Sequence, residues 1–234
     1  MNINYQNSYE TMSQEGADFI RTFVNSNPEA LICFATGSSP KRIYEILAYD
    51  PVITESNIRA VMLDEWIGID TLHPSTCRYF AEQHIFKQWN IPEKKRFCFN
   101  ASAVNAEKEC RRMASILKNE SPIDLCILGL GSNGHLGLNE PSDILFPHAH
   151  VTHLDAKSQT HSMLADEGIT LSQGITFGMT DINCSQEILM LVCGKDKKEI
   201  ASAFIKPDIS THLPASFLHL HPKVFCIIDK SILK

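Results

Sequence analysis

The stretch Asp124-Leu-Cys-Ile-Leu-Gly-Leu-Gly131 constrains the fold of this chain more than any other. Its apolar side chains follow one another without polar alternation. A pleated strand turns successive side chains to opposite faces, so such a run must be covered on both sides. Strands of that kind belong to parallel sheets flanked by helices. Comparable runs occupy Ala30–Thr36, Ile58–Trp66, Glu187–Gly194 and Lys223–Asp229, with weaker candidates at His150–Leu154 and Gly174–Thr180. Helical patterns fall between them, at Ser8–Val24, Pro40–Leu47, Thr76–Trp89, Asn105–Lys118 and Lys195–Phe204. Strand alternating with helix predicts the α/β class: a doubly wound, mostly parallel sheet with helices on both faces, Rossmann-like in layout. The 234 residues suit one large α/β domain over 1–234 better than two small ones. Residues 146–174 combine Pro147, spaced histidines and weak periodicity, and are read as a flap over a site.

Composition removes several classes of function. The net charge is −6 and no basic stripe interrupts it, which argues against a nucleic-acid partner. No apolar run approaches the length of a bilayer helix, so no membrane partner is expected. The first residues, Met-Asn-Ile-Asn-Tyr-Gln, lack a basic head and apolar stretch, and the expected location is cytoplasmic. Eight cysteines form no Cys-x-x-Cys pair. Cys33, Cys126, Cys193 and Cys226 fall inside strand-like runs and read as reduced core thiols rather than as disulfides or metal ligands. His148, His150 and His153 are closely spaced but have no Cys or carboxylate ligand beside them, and a solvated cluster is the simpler reading. Homo-oligomerisation is left open.

Three segments carry candidate chemistry. The run Ala30–Thr36 leads into Thr36-Gly-Ser-Ser-Pro40 and then a helical pattern. Strand, small-residue loop and helix present free backbone N–H groups to an anion. Gly37 permits close backbone approach, Ser38 and Ser39 add hydroxyl donors, and Pro40 suits a first helical turn. The alternative is an ordinary turn with a serine cap. The second segment, Val61-Met-Leu-Asp64-Glu65-Trp66, places acids at a strand end, where open α/β sheets deliver side chains to ligands. Adjacent side chains alternate faces, so Asp64 and Glu65 should not both point inward. A carboxylate beside apolar walls suits a general base, because desolvation raises its pKa toward neutrality. A solvated loop acid is the alternative.

The third segment is Gly129-Leu-Gly131-Ser-Asn-Gly134-His135, with Glu140 five residues further on. It matches the G-x-G-x-x-G pattern of dinucleotide sites, but Gly137 and Pro141 break the helix that such a site requires. The segment reads instead as a loop that displays polar groups. His135 exchanges protons near neutral pH, and Glu140 is placed to hold one ring nitrogen. A structural histidine is the alternative.

Together these segments resemble the glucosamine-6-phosphate deaminase/isomerase family. Thr36-Gly-Ser-Ser-Pro40 is similar to its phosphate loop. Leu63-Asp-Glu-Trp-Ile-Gly68, followed by His73-Pro-Ser-Thr-Cys77, is similar to its base segment, and Gly129 to Pro141 to its signature. Order and spacing agree from about Ala30 to His221. Within the family the features are most similar to the galactosamine-6-phosphate deaminase/isomerase subgroup, through Leu63–Trp66, Gly134–Ser142 and Pro214–His221.

The resemblance implies a fold of the same type and a deaminating aldose–ketose isomerase. Its substrate would be the 6-phosphate of a 2-amino-2-deoxyhexose, galactosamine or glucosamine, with no cofactor and no metal. His135 would promote ring opening, with Glu140 as its orienting partner. Asp64 would move a proton from C2 toward C1, and hydrolysis of the resulting imine would release ammonia. Gly37, Ser38 and Ser39 would hold the phosphate, and Lys197 aligns with the family's phosphate lysine. Two departures stand out. Asn133 occupies a position where the better-known glucosamine enzymes often carry aspartate. No arginine occurs between Val151 and Lys234, so the flap arginine of those enzymes has only Lys157, His161 or Ser162 as stand-ins. The longer C-terminal segment of allosteric members has no counterpart after Asp229, so that regulation is not expected.

Two other readings differ in class. A 6-phosphogluconolactonase would share the fold, but that family shows Asp-Glu-Arg where Asp64-Glu65-Trp66 stands and lacks Asn139-Glu140-Pro141. A non-catalytic sugar-phosphate sensor would keep the phosphate loop but have no need of Asp64 and His135.

Overall fold

A computed structural model describes residues 1–120, 122–155, 159 and 168–233. Seven strands form one parallel sheet: β1 (Asn2–Gln6), β2 (Leu31–Phe34), β3 (Arg59–Met62), β5 (Arg96–Phe97), β6 (Leu125–Gly129), β9 (Glu187–Val192) and β10 (Val224–Asp229), in the order β1-β10-β9-β6-β2-β3-β5. Every neighbouring pair in it runs parallel. A second, antiparallel sheet holds β4 (Asp64–Trp66), β8 (Gln173–Thr176) and β7 (His150–His153), in the order β4-β8-β7.

The uninterrupted apolar runs are explained by two cores, one on each face of the large sheet. Cys33, Cys126, Leu128, Met190 and Val192 turn to one face, toward α5 (Ala106–Glu120), α6 (Met179–Asn183) and α7 (Lys198–Ile205). Ile32, Phe34, Ile127, Leu189 and Leu191 turn to the other, toward α1 (Tyr9–Ser26), α2 (Ser38–Ile46), α3 (Pro51–Thr54) and α4 (Cys77–Ala81). Alternate residues of the same strand thus serve opposite cores. Helix α1 begins where Ser8 and Thr11 form a reciprocal capping box, and α4 begins where the Thr76 hydroxyl accepts from the Tyr79 N–H. Beyond Ala81 the helix widens into a π-turn over Glu82–Phe86.

The expected single strand Ile58–Trp66 is in fact two. Its first half pairs with β2 in the parallel sheet and its second half with β8 in the small one. Leu63 is the joint: its N–H donates to Phe34 O and its carbonyl accepts from Phe177 N. Two strands carried no apolar signal. β1 is a half-exposed edge strand of alternating polarity, and β5 is two residues long. The segment 146–174 contributes β7 and the first residues of β8; its centre lies outside the described residues.

Chain order reverses at β2, whose neighbours are β3 on one side and β6 on the other. Ligands of open α/β sheets bind outside the carboxyl ends of the strands at such a switch point. The loops after β2, β3, β6 and β9 all emerge there. Among the described residues no helix is long and apolar enough to cross a membrane.

Candidate active site

A cavity of about 630 Å³ opens at the switch point. Gly37, Ser38, Ser39, Asp64, His135 and Lys197 all line it, so four strand ends bring the main candidate residues to one space. Glu140 and Asn133 stand behind His135 and do not line the cavity.

One end of the cavity is built for an anion. Helix α2 starts at Ser38 with Gly37 as its N-cap, at φ 89°, a conformation that only glycine adopts without strain. No side chain caps the helix, so its first N–H groups remain directed to the cavity with the positive end of the helix dipole. Ser39 is buried, and the Cys193 thiol donates to its Oγ at 3.4 Å. The Lys197 ammonium donates to Leu130 O at 2.5 Å, and burial lowers its pKa. A partly buried cation hydrogen-bonded to the neutral Leu130 carbonyl gains when an anion approaches.

The other end is built for proton transfer. Asp64 is 9% exposed. Burial lifts its pKa to about 6, against the opposing pull of a hydrogen bond from the Cys77 thiol and the charge of His135. Glu65, next along β4, turns away from the cavity as strand alternation requires. Its carboxylate accepts from the N–H groups of Trp66 (2.9 Å), Cys77 (2.9 Å) and Arg78 (2.8 Å), and so caps α4. Burial dominates here too and lifts its pKa to about 7.

His135 sits on the loop after β6. Its Nδ1 lies 3.3 Å from Glu140 Oε2, and Asn133 Nδ2 donates to that same oxygen at 2.8 Å. Asn133 Oδ1 in turn accepts from the His135 backbone N–H at 3.2 Å. Asn139, fully buried, donates to Leu136 O and Phe177 O and holds the loop in place. The glycine pattern of this loop serves the histidine. A methyl group on Gly131 would overlap the His135 ring, and Gly134 takes φ 90°. No helix opens at these glycines, and the dinucleotide reading has no structural support among the described residues.

Sequence reasoning missed several lining residues. Thr36 hydrogen-bonds Cys77, and Cys77 hydrogen-bonds Asp64, in a short chain. Cys193 was read as a core thiol but reaches the phosphate loop. Trp66, Leu138 and Leu154 form a small apolar cluster, of which Trp66 and Leu138 line the cavity. The small antiparallel sheet that gathers this cluster was invisible as a sheet, so its wall could not be placed. His148 pairs with Asp181, and His150 Nδ1 lies 2.9 Å from His148 O. Among the described residues no group of three His, Cys, Asp or Glu side chains is arranged to hold a metal. Lys157, His161 and Ser162, named as stand-ins for the flap arginine, lie outside the described residues.

Comparison with known proteins bears on this site. A family model described as glucosamine-6-phosphate isomerases/6-phosphogluconolactonase matches residues 5–226. The Escherichia coli (strain K12) protein named "Putative deaminase AgaI" is 37% identical over 225 residues, covering 95% of this chain and 89% of its own. A glucosamine-6-phosphate deaminase of Geobacillus sp. (strain WCH70) is 35% identical, covering 97% of this chain and 92% of its own. The solved structure of a monomeric glucosamine-6-phosphate deaminase superposes with a TM-score of 0.92 at 29% identity, over 100% of both chains. A 6-phosphogluconolactonase from Trypanosoma brucei shares the fold alone, with a TM-score of 0.78 at 19% identity over 99% of this chain and 97% of its own. The chain therefore belongs to the family of glucosamine-6-phosphate isomerases and 6-phosphogluconolactonases and is an enzyme of its amino-sugar-phosphate deaminase branch.

Proposed function

We propose that the enzyme converts a 2-amino-2-deoxyhexose 6-phosphate, galactosamine or glucosamine 6-phosphate, with one water into a ketohexose 6-phosphate and ammonia. The observation that carries this reading is the shared cavity: an uncapped helix start with a partly buried lysine at one end, and a desolvated carboxylate with a carboxylate-backed imidazole at the other. Such a cavity suits a substrate that carries both a phosphate and exchangeable hydrogens.

In this scheme Gly37, Ser38, Ser39 and Lys197 hold the phosphate. His135, its tautomer set by Glu140 and Asn133, moves the proton that opens the pyranose ring. Asp64 removes the C2 proton and returns it to C1. A pKa near 6 leaves it ionised at neutral pH and still basic enough for the transfer. The enolamine becomes a C2 imine, water adds, and ammonia leaves. The C1 carbonyl of the open-chain sugar takes up the electron pair when C2 is deprotonated, and the C2 nitrogen returns a pair as C1 is protonated and the imine forms, so the scheme needs no metal.

Ammonia release from purified protein, assayed with both amino-sugar phosphates in the presence of EDTA, tests the reading. Turnover of at least one of them is expected, unchanged by the chelator. Silence with both, together with hydrolysis of 6-phosphogluconolactone, would transfer the chain to the lactonase activity.

A further inference from the structure

A chain of three side chains links the phosphate loop to the carboxylate. Thr36, the last residue before Gly37, donates from Oγ1 to Cys77 Sγ at 3.3 Å. Cys77 Sγ donates to Asp64 Oδ1 at 3.6 Å, a normal separation for a sulfur donor. Cys77 is itself clamped. It is the first residue of α4, it is 2% exposed, and its backbone N–H is held by Glu65 Oε1 at 2.9 Å. The backbone of Cys77 is therefore fixed beside Asp64, and the packing around this buried residue limits the room its thiol has to turn. Burial pushes the thiol pKa well up, so Cys77 stays protonated and remains a donor across the working pH range.

We propose that Cys77 is a positioning residue for the base: its thiol fixes Asp64 Oδ1, leaving Oδ2 to take the C2 proton, and its bond from Thr36 ties that orientation to the loop that grips the phosphate. The proposal rests on the deaminase reading for its kinetic consequence, but the geometry at Asp64 can be tested without substrate. Cys77 touches no reacting atom; it acts through Asp64. The titratable groups that influence or feel Asp64 are His135 from the loop after β6, Cys77 from α4, Cys33 from β2 and, from the opposite face of its own strand, Glu65. Cys77 hydrogen-bonds the carboxylate directly. A donor to a carboxylate favours its ionised form. Removing it should raise the pH at which Asp64 ionises.

The test compares Cys77→Ala, Cys77→Ser and Thr36→Val. The first two keep the site small; serine restores a donor and alanine does not. Two readouts are taken on the whole protein. The first is a carbon-13 titration of labelled aspartate carboxyls, with the Asp64 signal assigned by its loss in Asp64→Asn. The second is the pH dependence of ammonia release. In C77A the Asp64 titration and the acid limb of the rate profile should both move up by about half a pH unit or more. Turnover should fall about threefold to tenfold with KM within about twofold. C77S should return both toward the parent, and T36V should move them in the same direction as C77A by less. Parent-like titration in folded C77A would overturn the proposal. So would a serine variant that stays shifted with alanine, since that is the pattern of a merely structural thiol. Should the parent release no ammonia from either sugar, the deaminase reading fails, yet the titration still decides whether Cys77 sets the state of Asp64.

Discussion

The two ends of the cavity are made differently. At the anion end, contact is offered mainly by backbone: the uncapped start of α2, shaped by Gly37, with one partly buried lysine behind it. At the proton end, contact is offered by side chains, each held by another: Asp64 by Cys77, and His135 by Glu140 and Asn133. The difference follows from what each end must do. A phosphate carries its charge before and after reaction, so the groups that hold it bind ground state and transition state alike. Proton transfer changes charge during the reaction, so its groups need tuned pKa values and fixed aim. Damage at the proton end should therefore appear in turnover, and damage at the anion end in affinity.

The largest expected effect is at Asp64. Asp64→Asn keeps the shape but cannot accept a proton, and should lower turnover by about 10²–10⁴-fold while KM changes little. The parent enzyme should also lose activity as pH falls through about 6, where Asp64 takes up its proton. A variant with near-normal turnover, or a parent with no acid limb near that pH, would mean that another group is the base. Next comes Gly131→Ala. The added methyl group overlaps the His135 ring and displaces it. Turnover should fall about 10²-fold, the scale of misplacing a catalytic group by about an ångström, with the far-ultraviolet spectrum unchanged. Parent-like turnover would mean that the ring does not act where it lies.

Lys197→Ala tests the opposite end. Losing one charge-assisted contact to phosphate should raise KM about tenfold to a hundredfold and leave turnover within a few-fold. Turnover loss at unchanged KM would erase the distinction between the ends.

How much of this was legible in the sequence depended on which core a segment serves. Strands buried on both faces announced themselves: Leu125–Gly129 and Glu187–Val192 are apolar at nearly every position because each alternate residue meets a different core. The edge strand Asn2–Gln6 carries no such signal, because an edge strand half open to solvent needs none. The break at Leu63 was hidden for a related reason. Both halves of Ile58–Trp66 are buried, and burial does not record which sheet a strand joins. Asp64 and His135 could be named because their positions after strands mark them, and Lys197 because it aligns with the phosphate lysine of the family that the chain resembles. Cys77 could not, since a cysteine after a Thr cap looks like any buried thiol until the fold sets it against Asp64. Its helix start reaches that place through Glu65, which the sequence marks only as one of two adjacent acids that should not both point inward.

Glu65 gives the smallest expected effect and the sharpest sign. It belongs to the same strand as Asp64 but serves the helix rather than the cavity. Glu65→Gln keeps one carbonyl oxygen for the Trp66 and Cys77 N–H groups and presents an amide –NH₂ to Arg78 N, a loss of about 1–3 kcal/mol. Titration opposes that loss at neutral pH. The pKa of Glu65 in the folded protein, about 7, lies above its usual 4.5. The folded state therefore holds this proton more tightly than the unfolded chain does. The stability that Glu65 contributes is fully present below about pH 4.5 and is lost as pH rises through about 7. Glutamine does not titrate, and the contribution of Asp64 is common to both proteins. The deficit of E65Q in urea unfolding should thus be largest near pH 4.5 and shrink toward pH 7.5. A deficit that grows with pH over that range would mean that the three N–H donors outweigh burial and hold Glu65 ionised. The two neighbouring acids of β4 would then differ in their charge as well as in the face they serve.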